Sequence, residues 1–168
     1  MISIAIWDLT ETKTSGRAAV PPEPSFEKEI RAMNAITPTA KTLFTGKTHS
    51  KSGKDGFAKS ADGFVDLKLS QPHPAAENLF AAAWSACYMG AIEVAATQRK
   101  IKLAGSPEVD AEIDLNNAGG SYFLQARFTV TVPGVDRTVA EELAEAAHGI
   151  CPYSKAVHGN INVTTSVL

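Results

Sequence analysis

Two cysteines, Cys87 and Cys151, are the side chains of this 168-residue chain best suited to do chemistry. A thiol can attack an electrophile as the thiolate, close a disulfide or ligate a metal, and each use asks for different neighbours. Cys87 lies about ten residues into an apolar stretch beginning near Glu77, beyond reach of a helix N-terminal dipole, which acts on the first turn. An apolar setting raises its pKa. Cys151 follows a second helical stretch, where the C-terminal dipole disfavours a thiolate. Local sequence therefore activates neither, and a nucleophile here needs a cation brought in by the tertiary fold. His148 and Cys151 stand three apart on one helix face, a hint of metal, but zinc asks for three or four ligands and the sequence offers no second cluster. His49, His73 and His158 are scattered. A second reading stays open beside these: free cysteines are among the most buried residue types, and in it both thiols serve as small core residues.

The element that must position Cys87 is Glu77–Ala96, rich in Ala, Leu and Met and free of Pro, with Leu79, Phe80, Trp84, Tyr88, Met89, Ile92 and Val94 distributed on every side. Such a helix must be buried in a core, a membrane or an oligomer. Its uncharged run, Leu79 to Ile92, is fourteen residues, short of the ~18–20 that a membrane span needs. A core helix is expected.

Before it, Thr42–Thr48, Phe57–Ser60 and Phe64–Leu69 read as a three-stranded meander, with turns at Ser52–Gly56 and Asp62-Gly63. After it, Glu108–Leu115 and Tyr122–Val132 alternate as strands about a turn at Asn116–Gly120. A second helix opens on a capping box, Thr138-x-x-Glu141, carries the stripe Val139, Leu143, Ala147 and Ile150, and stops at Cys151-Pro152. Asn160–Leu168 is the last strand. The order strands, helix, strands, helix, strand predicts an α+β fold with largely antiparallel sheet. The central helix is too apolar for one small sheet to cover, so a second subunit is expected to complete its burial.

Residues 1–36 differ from the rest, with Pro21, Pro22 and Pro24 clustered, and are expected to be a loosely attached extension ahead of a domain over 37–168. A net charge of −2 favours neither nucleic acid nor an anionic membrane surface. Two cysteines are too few for a secreted disulfide scaffold, and the acidic, non-basic N-terminus resembles neither a signal nor a transit peptide, so a cytoplasmic location is expected.

Three stretches together resemble the organic hydroperoxide resistance branch of the Ohr/OsmC family. They are Glu77-x-Leu-Phe-Ala-Ala-x-x-x-Ala-Cys87, the Ser60-x-Asp62-Gly63 turn with Leu67-Lys68-Leu69-Ser70, and Ala147-His148-x-x-Cys151-Pro152-Tyr153-Ser154-x-Ala156-x-x-Gly159-Asn160. The match runs over about residues 41–168, in the family's order. The resemblance implies an OsmC-like fold, antiparallel sheets on a long buried helix, in an intertwined homodimer. It implies a thiol peroxidase that reduces organic, including fatty-acyl, hydroperoxides to alcohols. Cys87 is then the peroxidatic cysteine and Cys151 the resolving one, with a disulfide between them re-reduced by a dihydrolipoyl group carried on a lipoylated protein. No bound cofactor or metal, no nucleic acid and no membrane is implied.

In the family the peroxidatic thiol is served by an arginine from the turn after the first strand, held by the glutamate that precedes Leu-Phe. Glu77 is that glutamate. The family's Gly-Gly-Arg-Asp-Gly reads Ser52-Gly53-Lys54-Asp55-Gly56, which puts Lys54 at the arginine's position. Lysine supplies charge without the planar fork that holds thiolate and carboxylate together. The Gly-rich loop ahead of the central helix is shortened to Ser70–Ala76, and Ala75-Ala76 replaces the usual Asn-Pro. Three uses of the two thiols follow: the peroxidase; a redox sensor or hydrophobic-ligand binding protein with little turnover because Lys54 replaces the arginine; and a relative whose cysteines fill the core.

Overall fold

The computed structural model describes residues 40–69 and 75–168. The proposed extension, residues 1–36, and His73 lie outside the described residues. Gly46–Leu168 is one compact unit; of the preceding unit only residues 40–45 are described, exposed and without regular structure.

Three short strands come first: β1 (Thr48–Lys51), β2 (Phe57–Ser60) and β3 (Asp66–Lys68), an antiparallel meander in chain order. The meander was expected, but its first strand lies later than Thr42–Thr48. Only Thr48–Lys51 finds partners, Thr48 opposite Ser60 and Lys51 opposite Phe57, because β2 is four residues long and a strand persists only where a ladder is available. Gly56 is required at the turn: a Cβ there would stand 2.6 Å from the Leu69 carbonyl oxygen. The sheet packs closely on no other element among the described residues.

Helix α1 (Ala75–Gln98) runs longer than its sequence signature and without a break. By length and composition it could cross a membrane, but Trp84, Tyr88, Ala91, Ile92, Ala95 and Ala96 form a buried stripe at helical spacing. It packs as a core helix against β4 and α2. Strands β4 (Glu108–Ala118) and β5 (Ser121–Thr131) form an eleven-residue hairpin closed by Gly119-Gly120. Both glycines have positive φ, +59° and +87°, the geometry of a two-residue turn that matches strand twist. The tighter turn carries β4 three residues beyond the expected Leu115. Leu115 and Tyr122 leave the core face there, 52% and 75% exposed, because the hairpin outruns the helices that cover it.

Helix α2 (Arg137–Ile150) starts two residues earlier than the capping box suggested. Asp136 is its N-cap, accepting from the Val139 amide at 2.9 Å, and Glu141 pairs instead with Arg137. Its expected stripe is in the core and is extended by Ala140 and Ala144. Cys151 ends α2, and a further helix absent from the sequence reading, α3 (Pro152–Val157), begins at once. Strand β6 (Asn162–Val167) then lies beside β5 in parallel, Ala126 opposite Val163 and Phe128 opposite Thr165. Among the described residues this is the one departure from antiparallel pairing, and the α2–α3 crossover makes it possible, since parallel neighbours need a long connection.

The core lies between the two long helices and the β4–β5–β6 sheet. Phe128 sits at its centre, edge-on to Trp84 at 4.8 Å and to Tyr88 at 5.3 Å between ring centres. The connection from β5 to α2 depends on Gly134, whose φ is +85° and whose Cβ, were there one, would meet the Ala104 side chain and stand 2.7 Å from the Ala104 nitrogen. Gly134→Ala is expected to cost at least about 2 kcal/mol, left-handed strain plus overlap with backbone. A urea midpoint equal to that of the parent protein would show that the turn gives way.

Candidate active site

Cys87, one residue before Tyr88 on α1, is half-buried; Cys151 is completely buried at the α2–α3 junction. Packing of α1 on α2 and α3 brings sulfurs that are 64 residues apart in sequence to 2.9 Å. Both are free thiols. A disulfide needs about 2.05 Å, so closing one requires a shift of less than about 1 Å.

The junction is built by Cys151-Pro152. Pro was expected only to stop α2; its fixed φ and missing N–H also suit the first position of a new helix. Cys151 is thus the N-cap of α3 as well as the end of α2, and its sulfur accepts from the Ser154 amide at 3.5 Å. The expectation that Cys151 feels only a C-terminal dipole is corrected accordingly. The neighbouring Tyr153 amide faces Cys87 and favours its thiolate. These effects are outweighed. Burial pushes the Cys87 thiol above its ordinary pKa, the hydrogen bond and charge of Cys151 add to the rise, and no cation among the described residues contributes.

The structure therefore brings together two of the four residues the sequence singles out. Glu77 lies in the first turn of α1, half-buried, ten residues before Cys87, which is about 15 Å of helix axis at 1.5 Å per residue. Thiol and carboxylate can be linked only by a long side chain reaching in from elsewhere. Lys54 lies exposed in the β1–β2 turn, on the sheet that packs closely on no other element among the described residues. Arg127 and Arg137, which carry the right charge, are committed to carboxylates: Arg127 to Glu112 and Asp114, Arg137 to Glu141.

His148 is not a partner of Cys151 for metal. Its Nδ1 lies 3.1 Å from the Ser154 hydroxyl and its Nε2 2.9 Å from the Thr165 hydroxyl, so both ring nitrogens are engaged. The Trp84 indole donates to the same Ser154 oxygen at 2.9 Å. Tyr88 stacks 4.5 Å from the His148 ring and donates to the Ala144 carbonyl at 2.6 Å. This polar cluster behind the thiols escaped the sequence reading, although Pro after Cys, followed by Ser at the third helical position, carried the signal of a new helix start.

The OsmC-like protein family matches residues 69–166. An organic hydroperoxide resistance protein of Xanthomonas axonopodis pv. citri is 35% identical over 136 residues, 76% of this chain and 96% of that protein. The organic hydroperoxide resistance protein OhrB of Bacillus subtilis is 33% identical over 129 residues, 72% and 95% of the two chains. The crystal structure of that OhrB covers 76% of this chain and all of its own, with a TM-score of 0.67 and 34% identity. An organic hydroperoxide resistance protein from Elizabethkingia anophelis gives 0.69 and 33%, over 76% of this chain and 98% of its own. With two thiols in contact on an α+β frame shared at this level of identity, the chain belongs to the OsmC-like family, in its organic hydroperoxide resistance branch.

Proposed function

We propose that this protein is a thiol peroxidase that reduces organic hydroperoxides, fatty-acyl ones included, to alcohols. The observation that carries the reading is the 2.9 Å approach of Cys87 to Cys151, one half-buried and the other fully buried, in a family named for hydroperoxide resistance. The Cys87 thiolate attacks the terminal peroxide oxygen, the O–O bond breaks, and the alkoxide leaves and takes a proton to become the alcohol. Sulfur loses two electrons and becomes a sulfenic acid. Cys151 attacks that sulfur, the S–O bond breaks, and water leaves as the disulfide forms. Because Cys151 is buried, an external dithiol must attack at Cys87, with Cys151 as leaving group. A dihydrolipoyl group on a lipoylated protein is the proposed reductant, and its two thiols balance the cycle by closing their own disulfide. A cycle that returns to two free thiols suits a reducing compartment, here assigned to the cytoplasm.

We further assign the working unit to a homodimer. The exposed face of α1 carries Leu79 and Val94, 37% and 44% exposed, while β1–β3 leaves Phe64 92% and Leu67 38% exposed. A second copy that lays its first sheet over this chain's helix covers both, and brings the cation that Cys87 lacks. The competing reading, a redox sensor with little turnover, draws on the raised Cys87 pKa. Steady-state consumption of cumene hydroperoxide with dihydrolipoamide separates the two. Multiple turnovers are expected; a single burst equal to the enzyme concentration supports the sensor.

A further inference from the structure

Helix α3 is six residues long, yet its first turn aims one backbone amide at each sulfur, Tyr153 at Cys87 and Ser154 at Cys151. Something must hold so short a helix in place. The Ser154 side chain is the point at which three other elements converge: Trp84 from α1, His148 from α2 and, through His148, Thr165 from β6. We propose that His148, acting through Ser154, is a positioning residue that aims the resolving thiol Cys151. The proposal rests on the peroxidase reading for its biological use and on geometry alone for its test.

One assignment gives the protons of Trp84, Ser154 and His148 acceptors within the cluster. The Trp84 indole can only donate, so the Ser154 oxygen accepts from it. Ser154 then has one proton, and His148 Nδ1 is its acceptor. That leaves the His148 proton on Nε2, donated to Thr165. This assignment gives each of these protons an acceptor, and no buried side-chain nitrogen or oxygen among the described residues is left without a partner.

The assignment holds only while the imidazole is neutral. A protonated ring donates at both nitrogens. Ser154 would then face two donors, and its own proton would turn away. The groups facing the ring are few. Tyr88 of α1 lies against it with its hydroxyl committed to Ala144, Phe128 of β5 lies 6.2 Å away, and Thr165 of β6 holds Nε2. Glu145 lies one turn back on α2, and Lys155 and His158 share a cavity of about 670 Å³ with it and with His148. Burial lowers the ring's pKa below its ordinary 6.5, opposed by the charge of Glu145, so the neutral acceptor is the form present at neutral pH.

The test compares two amides. Asparagine places its polar atoms near Nδ1 and keeps the Ser154 contact; glutamine places them near Nε2 and keeps only Thr165. Closure of the Cys87–Cys151 disulfide is followed by stopped flow after diamide, which oxidises dithiols without a peroxidase, and after one equivalent of cumene hydroperoxide. With diamide, His148→Gln and Ser154→Ala are expected to close about tenfold more slowly than the parent, and His148→Asn within about threefold, the scale of effect expected from a misaimed group. The parent should also slow relative to His148→Asn as the pH falls below 6.5 through the His148 pKa; the ratio cancels the ionisation of the cysteines themselves. Equal rates for the Gln and Asn variants, whether both fast or both slow, would overturn the proposal. Closure by diamide but not by hydroperoxide in the parent overturns the peroxidase reading instead, and the diamide rates still decide the role of His148.

Discussion

Replacing Cys87 by serine should abolish hydroperoxide reduction, while replacing Cys151 should leave a single turnover. The two thiols touch, but they are not equivalent. Only Cys87 has surface open to solvent, so only its sulfur can meet a peroxide oxygen. A serine hydroxyl at neutral pH is neither ionised nor soft enough to take that oxygen, and the fully buried Cys151 cannot substitute for it. In Cys151→Ser the attack on peroxide still proceeds, but the sulfenic acid finds no thiol at 2.9 Å and persists. Dimedone labelling followed by mass spectrometry should detect an adduct at Cys87 in Cys151→Ser, and little in the parent, where closure competes. Sustained turnover of Cys87→Ser with dihydrolipoamide would remove the assignment.

The second large effect concerns Lys54 and the subunit that supplies it. Burial raises the Cys87 pKa and no cation among the described residues opposes it. A nucleophilic thiol therefore needs positive charge from outside its own subunit's described frame. Lys54 stands exposed on a sheet that no other described element packs on closely. If it serves the partner's thiol, Lys54→Met should slow the reaction by more than tenfold, or over ~1.4 kcal/mol of transition-state stabilisation. Lys54→Arg should speed it, because a guanidinium can hold thiolate and Glu77 carboxylate at once and spans part of their separation along α1. Mixed dimers decide the geometry. In a heterodimer of Cys87→Ser with Lys54→Met, supply across the interface regenerates one complete site; supply within a subunit regenerates none. Activity near half that of the parent dimer is expected. Lys54→Met as fast as the parent at neutral pH would show that Lys54 is not the cation.

Much of the frame was legible because periodicity is a local property. The place of α1 as a core helix and the alternation of Val109, Ala111 and Ile113 follow from residue spacing, and the structure bears both out, although only one face of α1 is buried. Boundaries were less legible. Thr42–Thr48 has strand-forming residues, but without a partner ladder only Thr48–Lys51 is a strand. Asp136 displaced Thr138 as the helix cap because its carboxylate, one turn ahead of Val139, accepts that residue's amide. Arg127 has the charge of a catalytic cation, but its strand places it beside Glu112 and Asp114, a pairing that residue type alone does not show.

By itself the sequence determined which residues can do the chemistry: two thiols, one in an apolar helix and one at a Cys-Pro junction, within motifs that name a family. It determined the order of elements too, since spacing of apolar residues selects helix or strand before any long-range contact forms. Tertiary structure alone decided that the two sulfurs meet, because residues 64 apart are joined by the packing of α1 on α2 and α3. It also decided that β6 runs parallel to β5 and that Cys151 caps a new helix. The cluster of Trp84, His148, Ser154 and Thr165 behind the thiols comes from the same source. The physical reason is that a hydrogen bond or a thiol contact depends on distances of a few tenths of an ångström between distant segments, which residue spacing along one chain does not encode.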